Sequence, residues 1–206
     1  MEHANANRPS ELFNFIGGAA YGPAANESTP RIGERHIQLS ASAPRHNKTV
    51  WHPDARRFYH DAPKPPLAWF NNGHFSLAVH VRRGDVSHRM PKRWLSNGIV
   101  ALCVMKSIEL LRLPRSTPIH VHILSEGKAD DFGSLAKLPH KLSFHLNAPL
   151  MDTFHHMVHA DALVMAASTM SDVAAWLRRR GRVFAHPAAE GLLQYMHRDV
   201  RIERCV

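Results

Sequence analysis

From Phe75 to Ala185 the chain alternates short apolar runs of strand length with stretches of helical period, and that alternation admits few folds. Strands separated by helices do not pair as hairpins. They line up in parallel, with the connecting helices covering the sheet. The pattern predicts a strand at 75–81, a helix near 92–112 and an alternating strand at 119–124. It continues with a short helix at 128–138, a strand at 142–146, an amphipathic helix at 150–160 and a strand at 162–166. A helix opening within Ser168–Ser171, a strand at 182–185 and a last helix over 190–197 complete it. The fold class expected is therefore α/β: a Rossmann-like parallel sheet of five strands with helices on both faces.

Two details sharpen the expectation. The helix near 92–112 has Pro91 at its start and Pro114 just past its end, and Leu95, Ile99, Leu102, Met105, Ile108 and Leu111 read as one broad buried face. Arg178, Arg179 and Arg180 suit the negative end of their own helix, with Gly181 as the residue that stops it.

Residues 1–70 differ from the rest. Pro, Asn, Ser and Ala are frequent there, so this segment is expected to be mostly irregular, with the folded domain spanning 71–206. Pro63-Lys64-Pro65-Pro66 reads as a stiff linker, and Asn26-Glu27-Ser28 and Asn47-Lys48-Thr49 fit the glycosylation acceptor pattern. Hydrophobic residues make up 44% of the chain, enough for a core, and no apolar run reaches the roughly 20 residues needed to span a bilayer. No secretory apolar region opens the sequence, so the chain as given is expected to be soluble. Of the two cysteines, Cys103 reads as core and Cys205 as part of the tail, with no disulfide framework or zinc spacing.

A formal charge of +9 favours anionic partners such as a nucleotide, a polyanionic glycan or nucleic acid; a solvated basic surface explains it equally well. The first candidate site is His80-Val81-Arg82-Arg83-Gly84-Asp85, where a strand delivers two guanidinium groups to a turn. Arginine presents a fixed fork of donors that matches phosphate oxygens, and ligands of open α/β sheets sit beyond the carboxyl ends of strands. Strand alternation puts His80 and Arg82 on one face and Arg83 on the other, so Arg83 is expected to brace the turn through Asp85. The second candidate is Ser168-Thr169-Met170-Ser171, between an apolar strand and a helix. It reads either as helix capping by Ser168 or Ser171 or, coupled to Arg82, as an anion site of free amides and hydroxyls. His155, His156 and His159 are expected to face solvent, and His120 and His122 to be exposed or hydrogen-bonded rather than to ligate metal. Paired carboxylates, Walker A, G-x-S-x-G and G-x-G-x-x-G patterns supply no better candidate.

These two stretches together resemble the fucosyltransferase superfamily, which comprises the α-1,2, α-1,6 and protein O-fucosyltransferases. His80 to Asp85 resembles its H-x-R-R-x-D signature, and Asp152 to Ser171, with its Ala160-Asp161-Ala162-Leu163-Val164 strand and Ser-rich turn, resembles its second block. The resemblance covers about residues 75–180. It implies the GDP-fucose-binding half of a GT-B glycosyltransferase that inverts configuration without a metal. By position, Arg82 would hold the β-phosphate, Arg83 and Asp85 the motif's shape, and His80 would lie near the nucleotide. Asp152 would read guanine, and Ser168, Thr169, Met170 and Ser171 would complete the phosphate cradle. The implied partners are a sugar nucleotide and a glycan or glycoprotein acceptor, with no nucleic acid and no further cofactor. The resembled enzymes work in the Golgi or endoplasmic reticulum lumen. The chain departs from the α-1,6 members in lacking a Glu beyond the signature, where Val86 to Met90 leave His88 as the group able to accept a proton. Only about 70 mostly irregular residues stand where many of these enzymes have an N-terminal acceptor domain, which leaves a fragment, an enzyme whose partner supplies that domain, or a nucleotide-binding relic as the expectations. The alternative is a non-catalytic nucleotide- or glycan-binding module of the same fold.

Overall fold

A computed structural model describes residues 53–70, 73–90, 93–189 and 200–206. The two glycosylation patterns and the expected helix over 190–197 lie outside them. The chain divides into two compact units, residues 1–65 and 66–206. In the first, helix α1 (Pro53–Asp61) occupies part of the segment expected to be irregular. Proline at a first helical position costs no hydrogen bond and presets the backbone, so Pro53 starts this helix rather than breaking it. Its end is held by Lys64, which donates to the Ala62 carbonyl at 2.6 Å and lies 4.6 Å above the Tyr59 ring.

The second unit is a parallel sheet of β1 (Phe75–Val81), β2 (Ile119–Ser125), β3 (Lys141–Leu146), β4 (Ala162–Met165), β5 (Arg182–Ala185) and β6 (Ile202–Arg204). The spatial order is β3-β2-β1-β4-β5-β6. The chain works outward from β1 to β3, returns to β4, and works outward again. The order therefore reverses between β1 and β4, where open α/β sheets bind ligands. Three helices connect the strands: α2 (Asn97–Leu111), α3 (Leu150–His159) and α4 (Thr169–Leu177).

Alternation along the strands builds two layers. Leu77, Val79, Val81, Val121 and Ile123 form one core cluster with Val100, Cys103 and Val104 of α2. The intervening positions carry Ala78, His80, His120 and His122. Asp161 fastens the β1–β4 pair at its amino end: its carboxylate accepts from the Ser76 amide at 2.8 Å, and its own amide donates to the Ser76 carbonyl at 2.9 Å.

Several expectations need correcting. The described residues form six strands, not five; β6 is three residues long and too short to carry a periodic signal. Cys103 and Cys205, 102 residues apart, form a disulfide that ties the end of the chain to α2. Their separation in sequence hides a proximity created by the sheet. Helix α2 begins at Asn97, where Ser96 accepts the Ile99 amide at 3.3 Å, and not near residue 92. Its buried stripe is Val100, Cys103, Val104 and Ser107, whereas Leu102 is 58% and Met105 39% exposed. Of the expected face, Leu95 belongs to the core and Ile99, Ile108 and Leu111 pack against it, so the expectation fails at Leu102 and Met105, in a helix apolar nearly all round. The helix expected at 128–138 is two 3₁₀ turns, Ala129–Phe132 and Leu135–Lys137.

Arg178 does not serve its own helix. It is buried and donates to the carbonyls of Met157 (2.6 Å), Val158 (3.3 Å) and Ala160 (2.6 Å), capping the end of α3. Burial lowers its pKa to about 10, so it remains charged at neutral pH. Gly181 follows with φ +82, and a side chain there would run into the Asp161 carbonyl and Arg178.

Candidate anion site between β1 and β4

The strand β1 ends at Val81, and the next two residues diverge as alternation requires. Arg82 follows the His80 face. Its Nη1 donates to the Ala167 carbonyl at 3.2 Å, just beyond β4. Its Nε and Nη2 grip Asp85 at 3.1 and 2.6 Å. Three of its five N–H donors are thus engaged by described residues. The Asp85 carboxylate, and then Glu126, hold the guanidinium protonated, while Arg82 holds Asp85 below the usual carboxylate range.

Arg83 takes the other face, but its partners are not those expected. Asp85 pairs with Arg82. Arg83 donates to the carbonyls of Arg82 (2.8 Å) and Leu95 (2.9 Å) and to Asn97 Oδ1 (2.7 Å), and it lies 4.9 Å from the Trp94 ring centroid. It fastens the turn to the start of α2. The i to i+3 spacing across Gly84, at φ +78, brings Asp85 back to Arg82.

On the β4 side, Ser168 is the N-cap residue of α4, yet its side chain makes no cap hydrogen bond. Of the two readings of this turn, hydroxyl capping by Ser168 is therefore absent. A helix start has amides without intrahelical acceptors, here those of Thr169, Met170 and Ser171. Ser171 is buried, accepts the Ala166 amide at 3.3 Å, and contacts His80 Nδ1 in a short hydrogen bond. Burial and then the neighbouring Arg82 push His80 down to about 4, so its imidazole is neutral at pH 7. Thr169 is exposed and Met170 half-buried at the mouth of the turn.

The structure thus brings together His80, Arg82, Asp85 and the turn at Ala167–Ser171. Asp152 stands apart, in the first turn of α3, where its carbonyl accepts from His156 Nδ1 at 2.7 Å. Nothing among the described residues links it directly to Arg82. His88 is exposed on the loop after the signature, its ring 6.4 Å from that of Trp94.

Two carboxyl groups near this edge escape a reading of the sequence. Glu126 follows β2 directly, and a side chain at Gly84 would overlap its carboxylate. Its position immediately after an interior strand, on the edge that carries Arg82, was the available signal. Asp172 is buried in the first turn of α4, its Oδ1 without a hydrogen-bond partner, and burial raises its pKa to about 7. It looks like one polar residue in an amphipathic helix, and no spacing marks it.

Two histidines depart from expectation: His155 and His156 are buried, not solvent-facing. His120 and His122 are buried as well and, of the two outcomes expected for them, take the hydrogen-bonded one. His120 Nε2 pairs with Ser143 Oγ at 2.9 Å, and His122 Nδ1 with His145 Nε2 at 3.0 Å. The Trp69 indole is stacked between His145 (4.1 Å) and His156 (3.9 Å). Among the described residues no three His, Cys, Asp or Glu side chains converge as a set of metal ligands. No described helix is long and apolar enough to cross a membrane.

No protein-family model, curated protein or solved structure matches this chain. The fold is a Rossmann-like α/β unit, its described residues forming six parallel strands in the order β3-β2-β1-β4-β5-β6.

Proposed function

We propose that the unit spanning residues 66–206 binds a nucleoside diphosphate sugar across the β1–β4 switch and belongs to a fucosyltransferase-like, GT-B-type glycosyltransferase acting with GDP-fucose. The observation that carries this reading is the hydrogen bond from Arg82 to the Ala167 carbonyl, which sets a guanidinium beside the amino terminus of α4. A fixed cation and a set of helix amides aimed at one point stabilise a diphosphate as it departs. In this reading Arg82 and the turn Ser168–Ser171 hold the β-phosphate, and neutral His80 positions Ser171. Asp152 reads the guanine ring from the first turn of α3, the helix that follows β3.

In the transfer, an acceptor hydroxyl oxygen attacks the anomeric carbon. The bond from that carbon to the β-phosphate oxygen breaks, and GDP leaves with the electron pair. The hydroxyl proton passes to a base, for which His88 and Glu126 are the groups at this edge. Acceptor, linkage and any chain completing the acceptor site are proposals of the same reading. Thermal shift with GDP, GDP-fucose, UDP and ADP side by side tests it. GDP and GDP-fucose are expected to raise the Tm and the other two to leave it unchanged. A Tm indifferent to all four nucleotides rejects the reading.

One observation favours a second reading. Asp85 already neutralises Arg82 through two hydrogen bonds, as suits a binding module that never develops transition-state charge. That module binds GDP but does not accelerate GDP-fucose hydrolysis over background.

A further inference from the structure

We propose a second ligand site at the opposite edge of the sheet, a cleft that takes an acidic sugar bearing sulfate or carboxylate groups. It lies between the carboxyl end of α2 and the amino ends of β2 and β3, with a volume of about 480 Å³. That is within the roughly 300–1,000 Å³ of small-molecule sites. It shares no lining residue with the β1–β4 site, so it stands whether or not a sugar nucleotide binds there.

Four observations carry the assignment. The cleft is lined by Arg112, Arg115 and Lys141, with His140 beside them. No hydrogen bond or ion pair from another described side chain engages those three cations. The carboxylate in the lining, Glu109, is held by Lys106, both of its oxygens 2.9 Å from the ammonium. The cleft therefore presents uncompensated positive charge.

The backbone supplies the third observation. Arg112 closes α2 in the left-handed conformation, φ 52 and ψ 38. Glycine occupies that position without steric cost, whereas a side chain there is strained. The Arg112 amide still makes the capping hydrogen bond to the Glu109 carbonyl at 3.2 Å, which glycine would make as well. Arginine adds to the cap only its charge at the negative end of α2; its guanidinium makes no hydrogen bond to a described residue and lines the cleft instead.

The walls select the ligand. Pro114, Pro118 and Pro139 give rigid apolar surfaces, and no Phe, Tyr or Trp lines the cleft. A nucleobase has no ring to stack on, which disfavours RNA and single-stranded DNA. A saccharide ring meets the aliphatic walls with its C–H face and offers its anionic groups to the arginine forks.

Calorimetry with a heparin-derived hexasaccharide, the same hexasaccharide desulfated, and a short single-stranded RNA tests the proposal. The salt should be near physiological, about 0.15 M, so that diffuse charge attraction is screened. The sulfated sugar is expected to bind at least about tenfold more tightly than the desulfated one, and more tightly than RNA. Arg112→Gly is the decisive variant. It relieves the strained cap, so its Tm should stay level or rise, while affinity falls about fivefold or more. A triple variant, R112G/R115S/K141S, should bind no more tightly than the desulfated control allows. Arg89→Ser, on the other edge, removes one charge and should leave affinity unchanged. The proposal is overturned if the sulfated sugar does not bind, or if RNA binds more tightly. It is equally overturned if Arg89→Ser costs as much as Arg112→Gly, or if Arg112→Gly keeps full affinity. A lower Tm for Arg112→Gly would contradict the argument from strain.

Discussion

The two faces of the sheet are built from opposite chemistry. Toward α2 the strands show Leu77, Val79, Val81, Val121 and Ile123, closed by the Cys103–Cys205 disulfide. The intervening positions carry His120 and His122, buried and continued by His145, His156 and the stacked Trp69. The first face gains stability by excluding water from aliphatic surface, which is insensitive to pH. The second buries imidazoles, which is tolerable only while they stay neutral. One layer acts as the invariant frame of the fold, and the other makes its stability depend on protons.

The largest expected effect lies on the aliphatic side. Ile123 is fully buried at the centre of that layer. Ile123→Ala should cost about 2–5 kcal/mol, measured by urea unfolding at pH 7.5, through lost burial and an unfilled cavity. A cost under about 1 kcal/mol would show that this layer is not the frame.

The acid response should come next and should arise on the histidine side. Burial pushes His122 down to about 3 and His145 to about 4, and lowers His120 and His156 as well. Lys141 and the neighbouring imidazoles push in the same direction, while Asp152 and the Asp152 carbonyl pull His156 the other way. Unfolded histidine titrates near 6.5, so the folded state binds fewer protons. Stability from these groups is therefore fully present above that value and is lost as the pH falls toward 4. The Tm should drop by roughly 5 °C or more between pH 7 and pH 5, with Trp69 fluorescence changing in step. A Tm constant over that range would mean these imidazoles titrate normally and are not held neutral by burial.

The smallest effect should fall on the outer side of α2. Leu102 is 58% exposed, and Leu102→Ala should change stability by no more than about 0.5 kcal/mol. A loss as large as that of Ile123→Ala would restore the broad buried face that periodicity suggested.

How much of this was legible in the chain depends on range. The strand Phe75–Val81 and the alternation after it are local signals, and the sheet follows from them. The meeting of Arg82 with the turn after β4 was legible too, because both lie past the carboxyl ends of strands and parallel sheets put those ends on one edge. The pairing of Cys103 with Cys205 was not, since only the assembled sheet brings β6 to α2. Nor was the exchange of partners between Arg82 and Arg83. Alternation gives the face each takes, but not that Gly84 folds Asp85 back onto the first of them. The burial of His155 and His156 was hidden for a similar reason: imidazole is compatible with either side of a helix, and what lies over it belongs to another part of the chain.

That difference between neighbouring arginines gives the most direct test of the central claim, that Arg82 and the turn at 167–171 form one anion site. Calorimetry with GDP should be run on the wild type, Arg82→Ala and Arg83→Ala, alongside the Tm of each. Arg82 pairs with an exposed carboxylate and one loop carbonyl, so Arg82→Ala should lower the Tm less than Arg83→Ala does while GDP affinity falls about tenfold or more. Arg83 holds the turn to α2, so its replacement should lower the Tm first. If Arg82→Ala binds GDP as tightly as the wild type, the guanidinium and the turn do not share a phosphate, and the account is wrong.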